Sequence, residues 1–284
     1  MTARRRSWQH ARCLVTGASS GLGKAMAEHL VRLGARVVLT GRSSVKLEAV
    51  ARPLIEQGAE PESVITCAAD LTRPKDLQRL FHVATDRLGA LDLVVNSAGV
   101  GAAGQFDSHE PGIVRPMFEI NVFALIEVTR AALPLLREGE YPTLVNVGSI
   151  VARRALPGRS EYSASKFAVA GFTESIRAEW SRFGIHVLLL NPGFTNTDFE
   201  RNALVDTARY SVTKRRTMTA EQVAVATLRA LRRGRNEVTL TLPGRILLLS
   251  NRLAPRFVDW GFGRWVLRLF PDAPEHDARK SPIR

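Results

Sequence analysis

Cysteine is scarce in this chain, which has only Cys13 and Cys67. Two residues so far apart predict neither a metal-binding cluster nor a disulfide framework, and both fall in predicted buried strands. A reducing compartment is therefore expected, and we assign the chain to the cytoplasm. No metal site is expected either.

Long apolar runs are also missing. No stretch of 18 uncharged apolar residues exists, so no membrane-spanning helix is predicted. Residues 1–12 are basic but lack the apolar segment of a secretory signal. There are no internal repeats and no low-complexity linker. A chain of 284 residues, 45% of them hydrophobic, is therefore expected to form one large domain.

Acidic residues are fewer than basic ones, which leaves a net charge of +13. Such basicity is typical of proteins that contact nucleic acid, anionic membranes or acidic small molecules. The arginines are scattered along the whole sequence and form no strip interleaved with aromatic residues. We therefore predict no nucleic-acid binding and attribute most of the charge to a general bias toward arginine.

Short, mostly apolar runs alternate with amphipathic helical stretches. The runs at 91–95 and 186–190 are typical of strands buried on both faces of a parallel sheet. Strands are predicted near residues 11–16, 35–40, 63–68, 91–96, 143–149, 185–190 and 236–241. This alternation predicts an α/β fold, a Rossmann-type doubly wound parallel sheet of about seven strands in the order 3-2-1-4-5-6-7. A ligand is expected across their carboxyl ends.

A glycine-rich turn follows the first predicted strand, with Gly17, Gly21 and Gly23 spaced G-x-x-x-G-x-G. Glycines allow a sharp turn and a close approach of a pyrophosphate to the amino terminus of the next helix. The spacing differs from the usual dinucleotide fingerprint, G-x-G-x-x-G. On its own it is also compatible with an ordinary Gly/Ser loop.

Tyr162 and Lys166 are four residues apart, so on a helix they share one face. A neighbouring ammonium stabilises a phenolate and lowers its pKa from about 10 toward the neutral range. Such a pair suits proton transfer to or from an alcohol oxygen. The same spacing also occurs by chance on many solvated helices.

The order of these motifs resembles the short-chain dehydrogenase/reductase family over residues 11–240. Asn96-Ser97-Ala98-Gly99 is similar to the family's Asn-Asn-Ala-Gly, with Ser97 in place of the second asparagine. The resemblance implies a catalytic tetrad of Asn121, Ser149, Tyr162 and Lys166. It also implies a set of cofactor-binding residues: Gly17, Ser19, Ser20, Gly21, Leu22, Gly23, Arg42, Asp70, Leu71, Asn96, Ala98, Gly99, Tyr162, Lys166, Pro192, Gly193, Thr195 and Thr197.

The resemblance assigns a role to each member of the tetrad. Tyr162 donates a proton to a carbonyl oxygen as hydride arrives, and Ser149 polarises that carbonyl. Lys166 lowers the pKa of the tyrosine and binds the nicotinamide ribose, and Asn121 holds a water linked to Lys166. The asparagine replaced by Ser97 normally braces the central strands, so this bracing is left to water.

The end of the second strand predicts the cofactor. NAD enzymes usually carry a carboxylate there, whereas this chain has Gly41 followed by Arg42. An arginine binds a 2′-phosphate well, so NADP(H) is expected, with Lys24 as a second positive contact.

Three segments are expected to line the substrate side: 100–116, 151–160 and 194–217, the last containing Phe194, Phe199 and Leu204 and forming a mobile lid after Thr197. Arg153, Arg154 and Arg159 are interpreted as solvated loop residues, although they suit an anionic group. The side chains of these segments are more apolar than charged, and the resemblance to extended members of the family implies a lipophilic substrate.

The last 40 residues predict two short amphipathic helices. The first is indicated by apolar residues between 246 and 257 and is expected to end near Pro255. The second spans 262–270, with Arg264 and Arg268 opposite its apolar side. Such a pattern fits an interfacial membrane helix, a lid over the site or a subunit contact. The predicted organisation is thus a basic arm (1–10), a catalytic Rossmann domain (11–243) and an amphipathic extension (244–284).

The expected function is NADP(H)-dependent interconversion of a ketone and a secondary alcohol on a small lipophilic molecule. The alternatives are a 3-oxoacyl-thioester reductase, using an acyl-carrier protein or CoA, and a non-catalytic NADP(H) sensor. The resemblance also implies a homo-oligomer.

Overall fold

The computed structural model describes residues 7–110, 112–193, 195–196, 203–206 and 217–269. A parallel sheet of seven strands forms its centre. The strands are β1 (Arg12–Thr16), β2 (Arg36–Gly41), β3 (Val64–Ala68), β4 (Leu93–Asn96), β5 (Thr143–Val147), β6 (His186–Asn191) and β7 (Glu237–Thr239). Their order is β3-β2-β1-β4-β5-β6-β7, which confirms the predicted topology.

Helices cover both faces of the sheet, as an α/β fold requires. The α-helices of the described residues are α1 (Gly21–Arg32), α2 (Ser44–Glu56), α3 (Pro74–Leu88), α4 (Val114–Phe118), α5 (Ala124–Arg137), α6 (Ser160–Trp180), α7 (Ala220–Arg232), α8 (Leu242–Leu253) and α9 (Pro255–Leu269). Helices α1, α2 and α7 pack on one face, where Met26 and Leu228 are buried. Helices α3, α5 and α6 cover the other, where Leu80 and Trp180 are buried.

Strand burial explains the apolar runs of the sequence. All four residues of β4 are buried, and β1, β2 and β6 each bury every residue but one or two at their ends. Cys13 in β1 and Cys67 in β3 are both buried, as predicted for their strands, and they form no disulfide with each other. Because the strands are parallel, their carboxyl ends meet along one edge, where loops collect the polar residues.

The C-terminal helices differ from their predicted bounds. α8 begins earlier, at Leu242, and α9 begins at Pro255 rather than near residue 262. Proline fits the first turn of a helix, because its missing N–H is not needed there. Phe257 therefore belongs to α9, and the predicted end of the first helix near Pro255 is correct.

Arg12 and Asp92 connect the amino-terminal ends of β1 and β4. Arg12 donates from Nη2 to Asp92 Oδ1 at 2.9 Å and from Nε to Oδ2 at 3.0 Å. The backbone N–H groups of Arg12 and Glu140 donate to the same carboxylate at 2.8 and 2.7 Å. Burial raises the pKa of Asp92, but the bonds from Arg12 and Glu140 outweigh it, so the pKa is lowered.

Asp92→Asn is expected to lower the free energy of unfolding at neutral pH by about 2 kcal/mol, because several bonds to a charged acceptor are weakened. A carboxyl group with a lowered pKa stabilises the fold above its unfolded pKa of about 4 and loses this effect as the pH falls through the folded pKa. Denaturant unfolding of both proteins at several pH values should therefore show the difference shrinking below about pH 4. Asp86→Asn, at an exposed carboxylate that pairs with His82, is the matched control. A difference that persists in acid would contradict this explanation.

Candidate active site

A cavity of about 420 Å³ opens at the carboxyl edge of the sheet. It runs from the loop after β2, past the ends of β1 and β4, to the loop after β5 and the first turns of α6. The predicted site residues that line it are Gly17, Ser19, Ser20, Gly21, Leu22, Arg42, Asp70, Leu71, Ala98, Gly99, Ser149, Tyr162, Lys166, Pro192 and Gly193. Residues distant in sequence thus meet in one elongated space.

The glycine turn is packed too closely for side chains. Gly17 has a φ of +66°, and a Cβ there would lie 2.9 Å from the Ala98 backbone. A Cβ on Gly23 would lie 2.3 Å from the Gly17 carbonyl oxygen. Gly23 therefore does not line the cavity but lets α1 approach β1, so that the amino terminus of the helix faces the cavity. This cradle fits a dinucleotide pyrophosphate.

The Thr16 hydroxyl braces the neighbouring strands where Ser97 departs from the family pattern. Thr16 Oγ1 accepts hydrogen bonds from the backbone N–H groups of Ser97 and Ala98 at 3.0 and 3.1 Å. Asn96, which is buried behind the cavity, donates to Asn146 at 2.9 Å and to Thr129 at 3.0 Å. Protein groups therefore provide the bracing that was expected from water. The sequence pattern gave no indication of this role for Thr16, the last residue of β1.

Two basic residues lie at the end of the cavity beside β2. Arg42 and Lys46 both line it and both are exposed. Lys24, predicted as the second contact, does not line it, because its ammonium lies 3.8 Å from Glu28 on the same helix. Lys46 replaces it, since the first turn of α2 returns to the end of β2. No carboxylate closes β2, where Gly41 stands.

Ser149, Tyr162 and Lys166 meet at the opposite end of the cavity. The side chains of Ser149 and Tyr162 are hydrogen-bonded to each other. Lys166 Nζ donates to the Val147 carbonyl at 2.9 Å and lies 5.8 Å from the centre of the Tyr162 ring. The loop after β5 thus supplies the serine, and one face of α6 supplies the other two.

The pKa values of this pair differ from the expectation. Burial raises the pKa of Tyr162 to about 12, although the hydrogen bond from Ser149 and the charge of Arg159 oppose the shift. Burial lowers the pKa of Lys166 to about 8. In the protein alone, desolvation therefore disfavours the charged form of each group and outweighs any lowering of the tyrosine pKa by Lys166. Tyr162 is a neutral phenol at neutral pH, the form that can donate a proton.

Asn121 lies behind the cavity in a π-helical turn, Glu119–Phe123, between α4 and α5. Its side chain accepts from the Val100 N–H at 2.8 Å and donates to the Val100 carbonyl at 2.9 Å. It also donates to Ser165 Oγ on α6 at 3.0 Å. The extra residue of a π turn re-aims a side chain, and here Asn121 ties the loop after β4 to the helix that carries Tyr162.

The side chains of two predicted cofactor residues, Thr195 and Thr197, lie outside the described part of the structure. Thr195 is described only in its backbone, where it pairs with Met218 in a short ladder. Thr197, with most of the predicted lid that follows it and with Phe194 and Phe199, lies outside the described residues.

The three arginines of the loop before α6 have separate environments. Arg153 pairs with Glu174 and Glu237, so the interpretation as a solvated residue is wrong. Arg154 is also not solvated, because it is paired with Asp259 and lies 5.0 Å from the centre of the Phe262 ring. Arg159 lines the cavity, as an anion-binding residue would.

A buried pair beside Tyr162 was not predicted. His109 Nδ1 lies 2.7 Å from Glu161 Oε1, and both side chains are almost fully buried. Burial raises the pKa of Glu161, but the bonds from His109 and Ser160 outweigh it, so the pKa is lowered. The pair fastens the segment after β4 to the first turn of α6. An isolated histidine in a loop gave no sequence signal for this contact.

A Rossmann-type sheet, a glycine cradle that fits a pyrophosphate and a Ser–Tyr–Lys cluster in the same cavity define a nucleotide-dependent oxidoreductase. The family model for short chain dehydrogenases matches residues 11–207. The chain belongs to this family. A relative from Anopheles gambiae, dehydrogenase/reductase SDR family protein 7-like, is 32% identical over 255 residues, which cover 87% of this chain and 80% of the relative.

Solved structures of short-chain dehydrogenases and reductases are similar to this fold. A short chain dehydrogenase from Burkholderia cenocepacia in complex with NADP is 29% identical, with a TM-score of 0.72, covering 83% of this chain and 98% of that one. A 3-ketoacyl-(acyl-carrier-protein) reductase from Brucella melitensis complexed with NADH is 26% identical, with a TM-score of 0.73, covering 83% and 98%. Both kinds of nicotinamide cofactor therefore occur among similar structures.

Proposed function

We propose that the protein reduces a ketone to a secondary alcohol, or catalyses the reverse reaction, with NADP(H) and on a lipophilic substrate. The observation that carries the proposal is the meeting of Ser149, Tyr162 and Lys166 at one end of a cavity whose other end holds the glycine cradle and two basic residues. Proton transfer and nucleotide binding are thus provided in one continuous space.

Each residue of the cluster has a chemical role in this proposal. The glycine cradle and Lys166 would hold a nicotinamide nucleotide, which would supply the hydride for the carbonyl carbon. Tyr162 gives its proton to the carbonyl oxygen, and Ser149 donates a hydrogen bond that stabilises the negative charge developing there. The charge of Lys166 stabilises the phenolate left on Tyr162. Asn121 positions α6 relative to Val100, through the bonds described above.

The preference for NADP(H) rests on Arg42 and Lys46. A 2′-phosphate at the end of β2 would meet two positive side chains and no carboxylate from β2 itself. The NADP complex of the Burkholderia cenocepacia relative supports a phosphorylated cofactor, while the NADH complex of the Brucella protein shows that this fold takes either form.

The proposal of a lipophilic substrate is based on the part of the cavity that lies away from the glycine cradle. Apolar residues dominate that part of the cavity lining: Val100, Ile120, Ile150, Val151 and Leu156. Pockets of this kind bind apolar ligands and use a few polar groups to orient them. Here Ser149 and Tyr162 are those polar groups.

A 3-oxoacyl-thioester reductase is the second candidate. Arg159 lines the cavity near Tyr162 and suits an anionic group of an acyl carrier or CoA. The structural similarity to a 3-ketoacyl-(acyl-carrier-protein) reductase also favours it. A non-catalytic NADP(H) sensor is disfavoured, because binding alone does not require a Ser149–Tyr162 hydrogen bond at the end of the cavity that holds Lys166.

The proposal also includes a homo-oligomer, a cytoplasmic location and peripheral membrane contact through the C-terminal helices. Phe123 and Phe167 support the homo-oligomer, since both are large apolar side chains that are about half exposed on neighbouring elements. Two buried cysteines that form no disulfide support a reducing compartment.

A panel of ketones tests the function. Purified protein is supplied with NADPH and ketones that range from small and polar to steroid-sized and long-chain, together with a 3-oxoacyl-CoA. We expect NADPH consumption whose kcat/KM rises about tenfold for every two methylene groups buried in the pocket. Turnover confined to the 3-oxoacyl thioester would favour the second candidate, and NADPH binding with no turnover of any compound would favour the sensor.

A further inference from the structure

Helices α8 and α9 present a large apolar surface to solvent. Seven of their bulky apolar side chains are exposed, half of the fourteen such side chains among the residues that the structure describes. We call them the C-terminal apolar face: Leu242, Ile246, Leu249, Leu253, Phe257, Trp260 and Leu267. Contiguous exposure of this kind marks an interaction surface rather than scattered surface residues.

The spacing arranges these side chains in stripes. Leu242, Ile246, Leu249 and Leu253 follow one another by four, three and four residues, which keeps them on one side of α8. Leu253 remains 75% exposed at the end of the stripe. Within the apolar stripe predicted over 262–270, Phe262, Trp265 and Val266 are half-buried, and the guanidinium of Arg154 lies over the Phe262 ring.

On α9 the exposed side chains are Phe257, Trp260 and Leu267. Arg264 lies in the same row, and its guanidinium carbon is 5.3 Å from the centre of the Trp260 ring. A long arginine that covers an aromatic ring and carries its charge outward is suited to a boundary between apolar and aqueous phases.

The charge around this face is strongly positive. Its five arginines are all exposed: Arg245, Arg252, Arg256, Arg264 and Arg268. Asp259 is the sole acidic residue between 242 and 269, and it is paired with Arg154. Two copies of the face would repel each other, whereas an anionic surface would be attracted.

We propose that the C-terminal apolar face docks on an anionic phospholipid bilayer. Its Leu, Phe and Trp side chains enter the boundary between headgroups and acyl chains, and its arginines contact the lipid phosphates. Among the described residues, no helix is both long enough and apolar enough to cross a bilayer, so α8 and α9 lie along the surface.

The C-terminal apolar face adjoins the candidate active site. Its use in delivering a substrate from the bilayer rests on the proposed function. Gly244 of α8 packs against Ile150, and a Cβ there would come within 2.5 Å of Ile150 Cδ1. Ile150 lines the cavity and follows Ser149. The Arg154–Asp259 pair fixes α9 to the same loop. A substrate dissolved in the bilayer would therefore be near the apolar end of the cavity.

Vesicle flotation with the full chain tests docking without any need for turnover. We expect binding to vesicles of phosphatidylcholine mixed with phosphatidylserine, much weaker binding to phosphatidylcholine alone, and loss of binding as salt rises. Leu253→Gln and Phe257→Gln should each weaken binding about tenfold, since each removes an inserted apolar side chain without changing the charge. Val45→Gln, at a 77% exposed valine on α2, should bind like the parent protein.

Separate readouts keep this proposal distinct from the catalytic one. Turnover of a water-soluble ketone in the absence of vesicles should be unchanged in Leu253→Gln and Phe257→Gln, because neither residue lines the cavity. Absence of vesicle binding would overturn the proposal, and so would vesicle binding that both variants retain. Variants that instead dissociate an oligomer, as measured by light scattering, would show that a second copy covers this face.

Discussion

Tyr162→Phe is expected to lower kcat for ketone reduction by about 100- to 10,000-fold, the range over which a positioned proton donor contributes. The substitution removes only the hydroxyl group, which is hydrogen-bonded to Ser149, and keeps the ring beside the Lys166 ammonium. Because burial keeps the pKa of Tyr162 at about 12, the parent protein holds this proton across the neutral range. Steady-state NADPH consumption measures the effect.

The control is Tyr141→Phe, a tyrosine at the surface of the loop before β5, which should retain activity within about twofold. NADPH binding to Tyr162→Phe, followed by nucleotide fluorescence, should stay close to that of the parent, which separates loss of chemistry from loss of folding. Near-normal turnover by Tyr162→Phe would remove the tyrosine from the mechanism.

Arg42→Ala combined with Lys46→Ala is expected to weaken NADPH binding by about 10- to 100-fold, because each charge-assisted contact with the 2′-phosphate contributes about 1.5–3 kcal/mol and exposure to solvent reduces this. NADH binding should hardly change, since that cofactor has no 2′-phosphate. Fluorescence titration with both nucleotides gives the ratio of the two dissociation constants directly.

Lys24→Ala is the matched control for this pair. Its ammonium lies near Glu28 and not in the cavity, so both nucleotides should bind it as they bind the parent. Equal weakening of NADPH and NADH by the double variant would mean that Arg42 and Lys46 support the loop rather than read the phosphate. A parent protein with equal affinity for both nucleotides would contradict the NADP(H) preference itself.

The sequence was sufficient for the sheet, because strands buried on both faces of a parallel sheet give runs such as Val187–Leu190 that are hard to mistake. The meeting of most predicted cofactor residues around one cavity followed from the order of the motifs, since parallel strands bring their carboxyl ends to one edge. Both inferences depend on local pattern, which a single sequence contains.

The sequence did not predict which neighbours individual side chains contact. Lys24 and Lys46 stand close to glycines in similar helix starts, yet only Lys46 lines the cavity, because Lys24 has a carboxylate one helical turn away. The pair of His109 and Glu161 joins a loop to a helix 52 positions later in the chain, and no spacing rule reaches that far. Contacts of this kind depend on the packed fold.

The pKa values of the site could not be read from residue types either. The spacing of Tyr162 and Lys166 indicated a lowered tyrosine pKa, but it says nothing about burial, which dominates both shifts. The spacing in α9 similarly revealed amphipathicity while giving no information on which side faces the protein. In the fold Phe262 packs against Arg154, whereas Phe257, Trp260 and Leu267 are the exposed apolar side chains of this helix.

The most direct test of the central claim is the fate of the hydride. Purified protein is given a lipophilic ketone and NADPH carrying deuterium in both positions at C4 of the nicotinamide, and the alcohol is analysed by mass spectrometry. We expect one deuterium on the carbinol carbon, with product formation almost abolished in Tyr162→Phe. NADPH that binds while no labelled alcohol forms from any ketone or 3-oxoacyl thioester would contradict it.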